Sequence, residues 1–254
     1  MLFEDGLNKE EEGHLTIDEW RKILKRLPWY TIVDITGAEP FAYKNLVPFI
    51  ELLKELGLRY SITTNGTIYN DSLIESLVLN NLQVLMVSLD GPEDTHNILR
   101  GNSKAFSKTV EFIKKVETIK KKYNRSKPLI NIKSTVLDEN CSELVDLVEF
   151  CRSHFHIDLY TFTFLFQNEA RGGMDLGEDF KLEKYQRGNY AEYKKVKDVM
   201  KFVNDIEQRQ SSWSFPVVIK PRMPLKSLLR YIKDPSSLNV KKCPQYLNNL
   251  TLYF

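Results

Sequence analysis

Cysteine is scarce in this sequence, and its placement excludes a whole class of proteins. The 254 residues contain only three cysteines, and none of them precedes Cys141. Three cysteines in a chain of this length do not form a disulfide framework, so a small disulfide-stapled secreted fold is excluded. We therefore expect a reducing environment, the cytoplasm, and a core that is stabilised by apolar packing.

Long apolar runs and an excess of one charge are also missing. No run approaches the roughly 18 apolar residues of a membrane span, and residues 1–5 lack the apolar region of a signal peptide. The 36 Lys and Arg against 34 Asp and Glu leave a net charge of +2, which gives no electrostatic basis for binding nucleic acid. Because 42% of the residues are hydrophobic, a disordered chain is excluded as well. The sequence predicts a globular protein with neither nucleic acid nor membrane as a partner.

Five short apolar runs, rich in β-branched residues, alternate with helical patterns. The runs are mostly continuous, as in strands that are buried on both faces of a parallel sheet. They cover residues 30–36, 58–64, 83–90, 129–136 and 157–166. Gly57 follows the clearest helical pattern at a C-cap position, and Asp71 is the predicted N-cap of the next helix. This order predicts an α/β protein of parallel β/α units, arranged as a barrel or as an open doubly wound sheet.

The two ends of the chain depart from this regular alternation. Thr16 and Glu19 have the spacing of a capping box, which predicts a helix before any strand. Since β/α proteins normally open with a strand, the first strand is expected to be missing or to precede Met1, leaving the edge of the 30–36 strand unpaired. Beyond residue 166 we predict a glycine-rich loop at 170–189, a helix at 191–206 and strands at 215–219 and 250–254.

Each predicted strand ends in polar and small residues, which is where parallel β/α proteins place their sites. Such an array is suited to binding a polar small molecule, although the same residues also make turns. The segments are Thr36-Gly37-Ala38-Glu39-Pro40, Thr63-Thr64-Asn65-Gly66-Thr67, Ser88-Leu89-Asp90-Gly91-Pro92, Ser134-Thr135 and Gln167-Asn168-Glu169-Ala170-Arg171-Gly172.

In this order the segments resemble the core of a radical S-adenosylmethionine (SAM) enzyme. The Gly37-Ala38-Glu39-Pro40 turn matches the Gly-Gly-Glu-Pro element of that family. The Thr-Thr-Asn-Gly-Thr and Ser-Leu-Asp-Gly-Pro segments follow at the family's usual spacing, and the stretch from His96 to Gly101 also fits. The resemblance covers residues 16–173. It implies a partial (β/α)6 TIM-like barrel, open on one side, with the first strand missing or preceding Met1.

The resemblance implies roles for particular side chains in binding SAM. Glu39 and nearby backbone carbonyls would accept hydrogen bonds from its ammonium group, Ser88 would contact the ribose or carboxylate end, and Arg100 would pair with the carboxylate. The alternatives are a surface ion pair for Arg100 and a turn-forming role for Asp90. The implied cofactor-binding residues are Gly37, Ala38, Glu39, Pro40, Thr64, Asn65, Ser88, Asp90, Arg100 and Gln167.

The sequence departs from the family pattern in two places. Ala38 replaces the second glycine, which is tolerable only if this residue has a negative φ. The family holds a [4Fe-4S] cluster on Cys-x3-Cys-x2-Cys, which is absent here, so we expect the sequence to begin after the cluster loop and the chain to be inactive. No metal site is predicted from the other cysteines, because Cys141 and Cys151 would lie about 15 Å apart on one helix.

The resemblance also suggests a division of the chain and a branch of the family. We expect a β/α core at 1–173, a loop and helical part of the core at 174–240, and at 241–254 the start of a truncated extension. Cys243 would open that extension, which resembles the cysteine-rich SPASM domain of radical SAM enzymes that modify peptides or proteins.

The resulting functional hypothesis is a radical SAM protein that acts on a peptide or protein. In such enzymes a [4Fe-4S] cluster, reduced by a donor such as flavodoxin or ferredoxin, cleaves SAM to a 5′-deoxyadenosyl radical that abstracts a hydrogen atom. One alternative is a module without a cluster that binds SAM or a peptide. Another is an unrelated β/α-barrel lyase that uses Lys133 or Glu39.

Overall fold

The computed structural model describes residues 15–164, 193–220, 224–234 and 249–253. The chain forms two compact units. The first contains Met1–Leu89, His96–Asn131 and Asn248–Phe254, and the second contains Asp90–Thr95 and Ile132–Leu247. The elements in chain order are α1 (Ile17–Leu24), β1 (Ile32–Thr36), α2 (Leu46–Glu55), β2 (Arg59–Thr64), α3 (Asp71–Leu79), β3 (Leu82–Ser88), α4 (Glu93–Arg100), α5 (Ala105–Lys122), β4 (Leu129–Val136), α6 (Leu144–His154), β5 (Leu159–Phe164), α7 (Val196–Arg209), β6 (Val217–Lys220), α8 (Leu225–Lys233) and β7 (Asn249–Tyr253).

The strands form a parallel sheet that is not closed. Their order is β6-β5-β4-β3-β2-β1-β7, and β1 pairs in parallel with β2, β2 with β3, and β5 with β6. All five predicted strands of the first two-thirds of the chain are present, and β4 has the predicted bounds. The α/β class and the partial TIM-like barrel are therefore confirmed.

The apolar faces of β1 and β2 are buried. Val33 and Ile35 of β1 are buried on the face that also carries Tyr60 and Ile62 of β2. Their neighbours, such as Asp34 and its register partner Ser61, lie on the opposite face and hydrogen-bond to each other there. Alternation along each strand thus gives the sheet one apolar face and one more polar face.

The helix ends follow the sequence with one correction. The predicted capping box of α1 is present, with Glu19 and Thr16 bonded reciprocally. Gly57 follows α2 with φ +68, as a C-terminal glycine should. The predicted N-cap of α3 was wrong: Asp71 is the first helical residue, and Asn70 caps the helix because its extended backbone lets its side chain accept from the Leu73 N–H.

Three features of the second half of the chain differ from the predictions. The expectation that the edge of β1 would be unpaired was wrong, because β7 pairs with it in parallel from Ile32↔Asn249 to Thr36↔Tyr253. Cys141 and Cys151 do not share a helix, since α6 begins at Leu144. Helix α8 had no predicted counterpart, because the prolines around it obscure its short apolar period.

Within the described residues, no helix has the length and apolar character that crossing a membrane requires.

Candidate functional site

The carboxylate of Glu39 joins the loop after β1 to the loop after β2. Its Oε1 accepts hydrogen bonds from the Thr64 hydroxyl at 2.7 Å and from the Phe41 N–H at 3.1 Å. Its Oε2 accepts from the Asn65 N–H at 2.8 Å. Three donors on one carboxylate fix the relative position of the two loops at the carboxyl ends of neighbouring strands.

The loop after β2 is itself held by a set of short contacts. The Asn65 side-chain oxygen accepts from the Thr67 N–H at 2.8 Å and from the Thr67 hydroxyl at 2.7 Å. From α5, the hydroxyl of Thr109 donates to the Asn65 carbonyl at 2.7 Å. Gly66 adopts φ +68, and a Cβ there would lie 2.9 Å from Cδ1 of Phe112. This loop therefore has one tight conformation that depends on glycine.

The loop after β1 presents backbone to solvent. Gly37 and Ala38 are exposed, and Gly37 has φ +139, a conformation that glycine adopts without penalty. Ala38 is not among the residues with positive φ. Alanine can therefore replace the second glycine of the family motif at this position without backbone strain. Pro40 opens a short 3-10 turn over Pro40–Ala42, which Glu39 caps with its side chain. Exposed backbone beside the half-buried carboxylate of Glu39 is suited to contact with a polar ligand.

The charge state of Glu39 is set by competing effects. Burial is the largest and raises the pKa of this carboxyl above its ordinary value, while the hydrogen bonds from Asn65, Thr64 and Phe41 lower the pKa in part. The guanidinium of Arg100 also lowers it by charge attraction. Glu39 and Arg100, a predicted pair of ligand-binding residues, are thus close enough to interact.

The raised pKa of Glu39 predicts a pH-dependent contribution to stability. Because its pKa is higher in the folded state than in the unfolded state, its contribution is fully present below the unfolded value near 4.5 and is lost as pH rises through the folded value. We expect the free energy of unfolding of the wild type, relative to Glu39→Gln, to fall as pH rises above about 4.5. Urea unfolding of both proteins between pH 4 and 8 measures this difference.

Glu75 provides the matched control with the opposite sign. Hydrogen bonds from Lys122 and Tyr123 lower the pKa of its carboxyl. The wild type, relative to Glu75→Gln, should therefore gain stability as pH rises and lose it as pH falls through the lowered pKa. Two differences of the same sign would contradict the environment described for Glu39.

The remaining predicted site residues lie in three different settings. Ser88 ends β3 in the first unit, one residue beyond the register pair Thr64↔Val87. Asp90 belongs to the second unit, where its Oδ1 accepts from the Thr135 N–H at 2.8 Å. Asn140 donates to the Asp90 carbonyl at 2.7 Å. Gln167 lies outside the described residues. The structure thus brings Glu39, Thr64 and Asn65 together. The Asp90 side chain instead holds the backbone of Thr135 by a hydrogen bond.

The supporting roles of three residues were not predicted from the sequence. Thr109 and Phe112 hold the Asn65-Gly66 turn from α5, and Asn140 holds the Asp90 turn. Thr109 lies on the buried stripe of α5, four residues from Ala105. The one available hint was that Thr109, a hydroxyl residue, lies among the buried apolar residues of α5. Such a residue indicates a hydrogen bond from the helix to another part of the chain.

The described cysteines do not fit an iron–sulfur cluster. Cys141 and Cys151 are both buried, and burial raises the pKa of both thiols, which opposes the thiolate form that binds iron. Across residues 15–164 and the later described segments, no group of three His, Cys, Asp or Glu side chains could hold a metal ion. The third cysteine, Cys243, lies outside the described residues. We therefore derive no chemical step through a cluster.

Comparison with known proteins gives consistent matches. The family model "Radical SAM superfamily" matches residues 6–151. The sporulation killing factor maturation protein SkfB of Bacillus subtilis is 29% identical over 140 residues, which are 54% of this chain and 32% of SkfB. The tungsten-containing aldehyde ferredoxin oxidoreductase cofactor-modifying protein of Pyrococcus furiosus is 25% identical over 146 residues, 56% of this chain and 41% of that protein.

Solved structures share the fold. Streptococcus suis SuiB bound to the precursor peptide SuiA aligns with a TM-score of 0.60 at 16% identity, covering 98% of this chain and 52% of SuiB. SuiB bound to S-adenosylmethionine aligns with a TM-score of 0.56 at 19% identity, covering 84% of this chain and 45% of SuiB. The chain thus spans about a third of SkfB and about half of SuiB.

Proposed function

Because the chain belongs to the radical SAM superfamily, we propose that it is the SAM-binding core of a protein that modifies a peptide or protein. Family membership implies SAM and a [4Fe-4S] cluster as cofactors. In a family member that holds both groups, they would supply reductive cleavage of SAM to a 5′-deoxyadenosyl radical, with the electron from a donor such as flavodoxin or ferredoxin. The described thiols of this chain do not fit the cluster. The residues of this chain would bind, orient and enclose SAM.

The single observation that carries the proposal is the Glu39 cluster. Its carboxylate, held by Thr64, Asn65 and Phe41, lies inside the matched region and beside the exposed backbone of Gly37 and Ala38. The ammonium group of SAM would donate to Glu39 and to backbone carbonyls of this turn. Ser88 would contact the ribose or carboxylate end of SAM, and Arg100 would pair with the carboxylate. Gln167 would flank the adenine or ribose side.

The peptide substrate is supported by the relatives. SkfB is named as a maturation protein for a killing factor, and SuiB has been solved with its precursor peptide. The cysteine-rich extension proposed to begin in 241–254 would belong to the same peptide-modifying branch. A second candidate, a module that binds SAM or a peptide without turnover, is favoured by the burial of the two described thiols.

SAM binding by the full chain tests the proposal. We expect saturable binding in isothermal titration calorimetry, and about tenfold weaker binding for Glu39→Gln. The side-chain oxygen of the introduced glutamine can still accept from the Thr64 hydroxyl and the Phe41 N–H. Its NH2 group would then face the Asn65 N–H, and because both are donors, the loop after β2 must shift. Glu75→Gln is the control: it removes the same charge from an ion pair with Lys122 on α3 and α5 and should bind as the wild type does. Absence of binding, or equal loss in both variants, would refute the proposed site.

A further inference from the structure

The face of β5 and β6 that lies away from α7 is largely polar. It carries Thr161, Thr163 and Lys220, with Val218 as its apolar member. The Phe162 ring packs against Phe202 of α7, with centroids 5.0 Å apart, and the Tyr160 ring lies 4.8 Å from Phe162 on the same side. Successive side chains of a strand point to opposite faces, so Thr161 and Thr163 lie on the face away from α7. The packing of α7 does not use that face.

Thr163 and Lys220 are direct neighbours on this polar face. They are register partners in the parallel β5–β6 pair, which places their Cα atoms about 4.8 Å apart. Both are half-buried, and Lys220 is the final residue of β6. They therefore lie near the carboxyl ends of their strands, where β/α proteins bind ligands.

The hydroxyl of Thr163 points to a missing partner. Its Oγ1 is buried and has no hydrogen-bond partner among the described residues. Leaving a buried hydroxyl without a hydrogen-bond partner is unfavourable. Lys220 likewise forms none of the ion pairs found between described residues. An ammonium group donates only, and a hydroxyl can donate, so the two side chains together are suited to one anionic acceptor.

Lys133 adds a second cation to the same face. The Ser134 and Tyr160 hydroxyls are 2.8 Å apart, which places Ser134 on the side of Tyr160, facing the helices. Lys133, the preceding residue of β4, therefore lies on the opposite face, with Thr163 and Lys220. Lys133 is half-buried. Two lysine side chains therefore lie on this face of the sheet.

We propose that Thr163 and Lys220, with Lys133 nearby, bind a carboxylate side chain of the peptide substrate. The inference rests on the proposed function and deepens it, since it assigns an acidic residue to the part of the peptide held over β5 and β6. The lysine ammonium and the threonine hydroxyl would each donate one hydrogen bond to the carboxylate. The site is distinct from the Glu39 cluster, which lies in the other unit.

The test uses the full chain with ¹³C-labelled threonine methyl groups, observed by NMR. The probe is N-acetyl-glutamate N-methylamide, and its glutamine analogue serves as the neutral comparison. We expect a saturable shift of the Thr163 methyl signal with the glutamate probe only. Lys220→Gln should weaken the binding about tenfold, whereas Lys220→Arg, which keeps the charge, should largely preserve it. Lys226→Gln is the matched control, because Lys226 is exposed on α8.

Several outcomes would overturn the inference. These are no shift with the glutamate probe, an equal shift with the glutamine probe, or equal weakening in Lys220→Gln and Lys226→Gln. A shift with inorganic phosphate alone would assign the site to a phosphate group and refute a peptide carboxylate. Calorimetry with SAM on the same samples separates the two proposals: intact SAM binding without a glutamate response refutes only the carboxylate site, and loss of both refutes the proposed function as well.

Discussion

Replacing Gly66 with alanine is expected to lower the free energy of unfolding by about 2–4 kcal/mol. Gly66 has φ +68, which an L-residue adopts only with strain, and the new Cβ would lie 2.9 Å from Cδ1 of Phe112. Phe112 is fully buried and its ring contacts the rings of Phe41 and Tyr69, so a shift of the ring would disturb packed neighbours. Urea unfolding of the wild type and Gly66→Ala, at one pH, measures the loss.

Gly57 separates the two contributions to this effect. It has the same φ, +68, but a Cβ there would meet nothing within 4 Å. Gly57→Ala should therefore cost only the backbone strain, about 1–2 kcal/mol, and the difference between the two variants isolates the contact with Phe112. Equal losses would show that Phe112 yields and that the turn after β2 is looser than described.

Anaerobic reconstitution with iron and sulfide is expected to leave the chain of this sequence without a [4Fe-4S] cluster. Three cluster thiolates are required, whereas the sequence has three cysteines in all, of which Cys141 and Cys151 are buried. Burial raises the pKa of both thiols and so disfavours the thiolate. Electron paramagnetic resonance of the reduced protein, with iron and sulfide analysis, provides the measurement.

A variant in which Cys141, Cys151 and Cys243 are all replaced by serine sets the background. We expect this variant and the wild type to retain equal amounts of iron, since any iron they bind is adventitious. A cluster signal close to one per chain in the wild type that the variant lacks would contradict the prediction. It would also make reductive cleavage of SAM by this chain chemically possible.

The fold could be predicted from the sequence because its strands carry strong local signals. Continuous β-branched runs bounded by turn residues indicated β1 to β5, and alternation of strands and helices indicated the parallel sheet. The pairing of β7 with β1 could not be predicted, since it joins segments that are distant in sequence and no local pattern encodes such a pairing. Helix α8 was not predicted because its nine residues contain too few turns for the apolar repeat of a helix to be recognised. The neighbouring prolines also favour a loop.

The candidate site could be predicted in its residue types but not in its contacts. Motif order indicated Glu39, Thr64 and Asn65, yet the hydrogen bonds that join them depend on the side-by-side placement of β1 and β2. The apolar period of α5 includes Ile113 and Val116, which are buried, but it does not single out Thr109, which is buried as well. A small rotation of a helix about its axis decides this, and apolar periodicity does not resolve it.

The pairing of β7 with β1 has a consequence for synthesis on the ribosome. The first unit is discontinuous, and residues 249–253 that complete its sheet emerge after every other described element. During translation one edge of β1 therefore stays open, and an open edge is a place where strands of other chains can pair. The first unit can therefore complete its sheet only after α6, β5, α7 and β6 of the second unit have been synthesised.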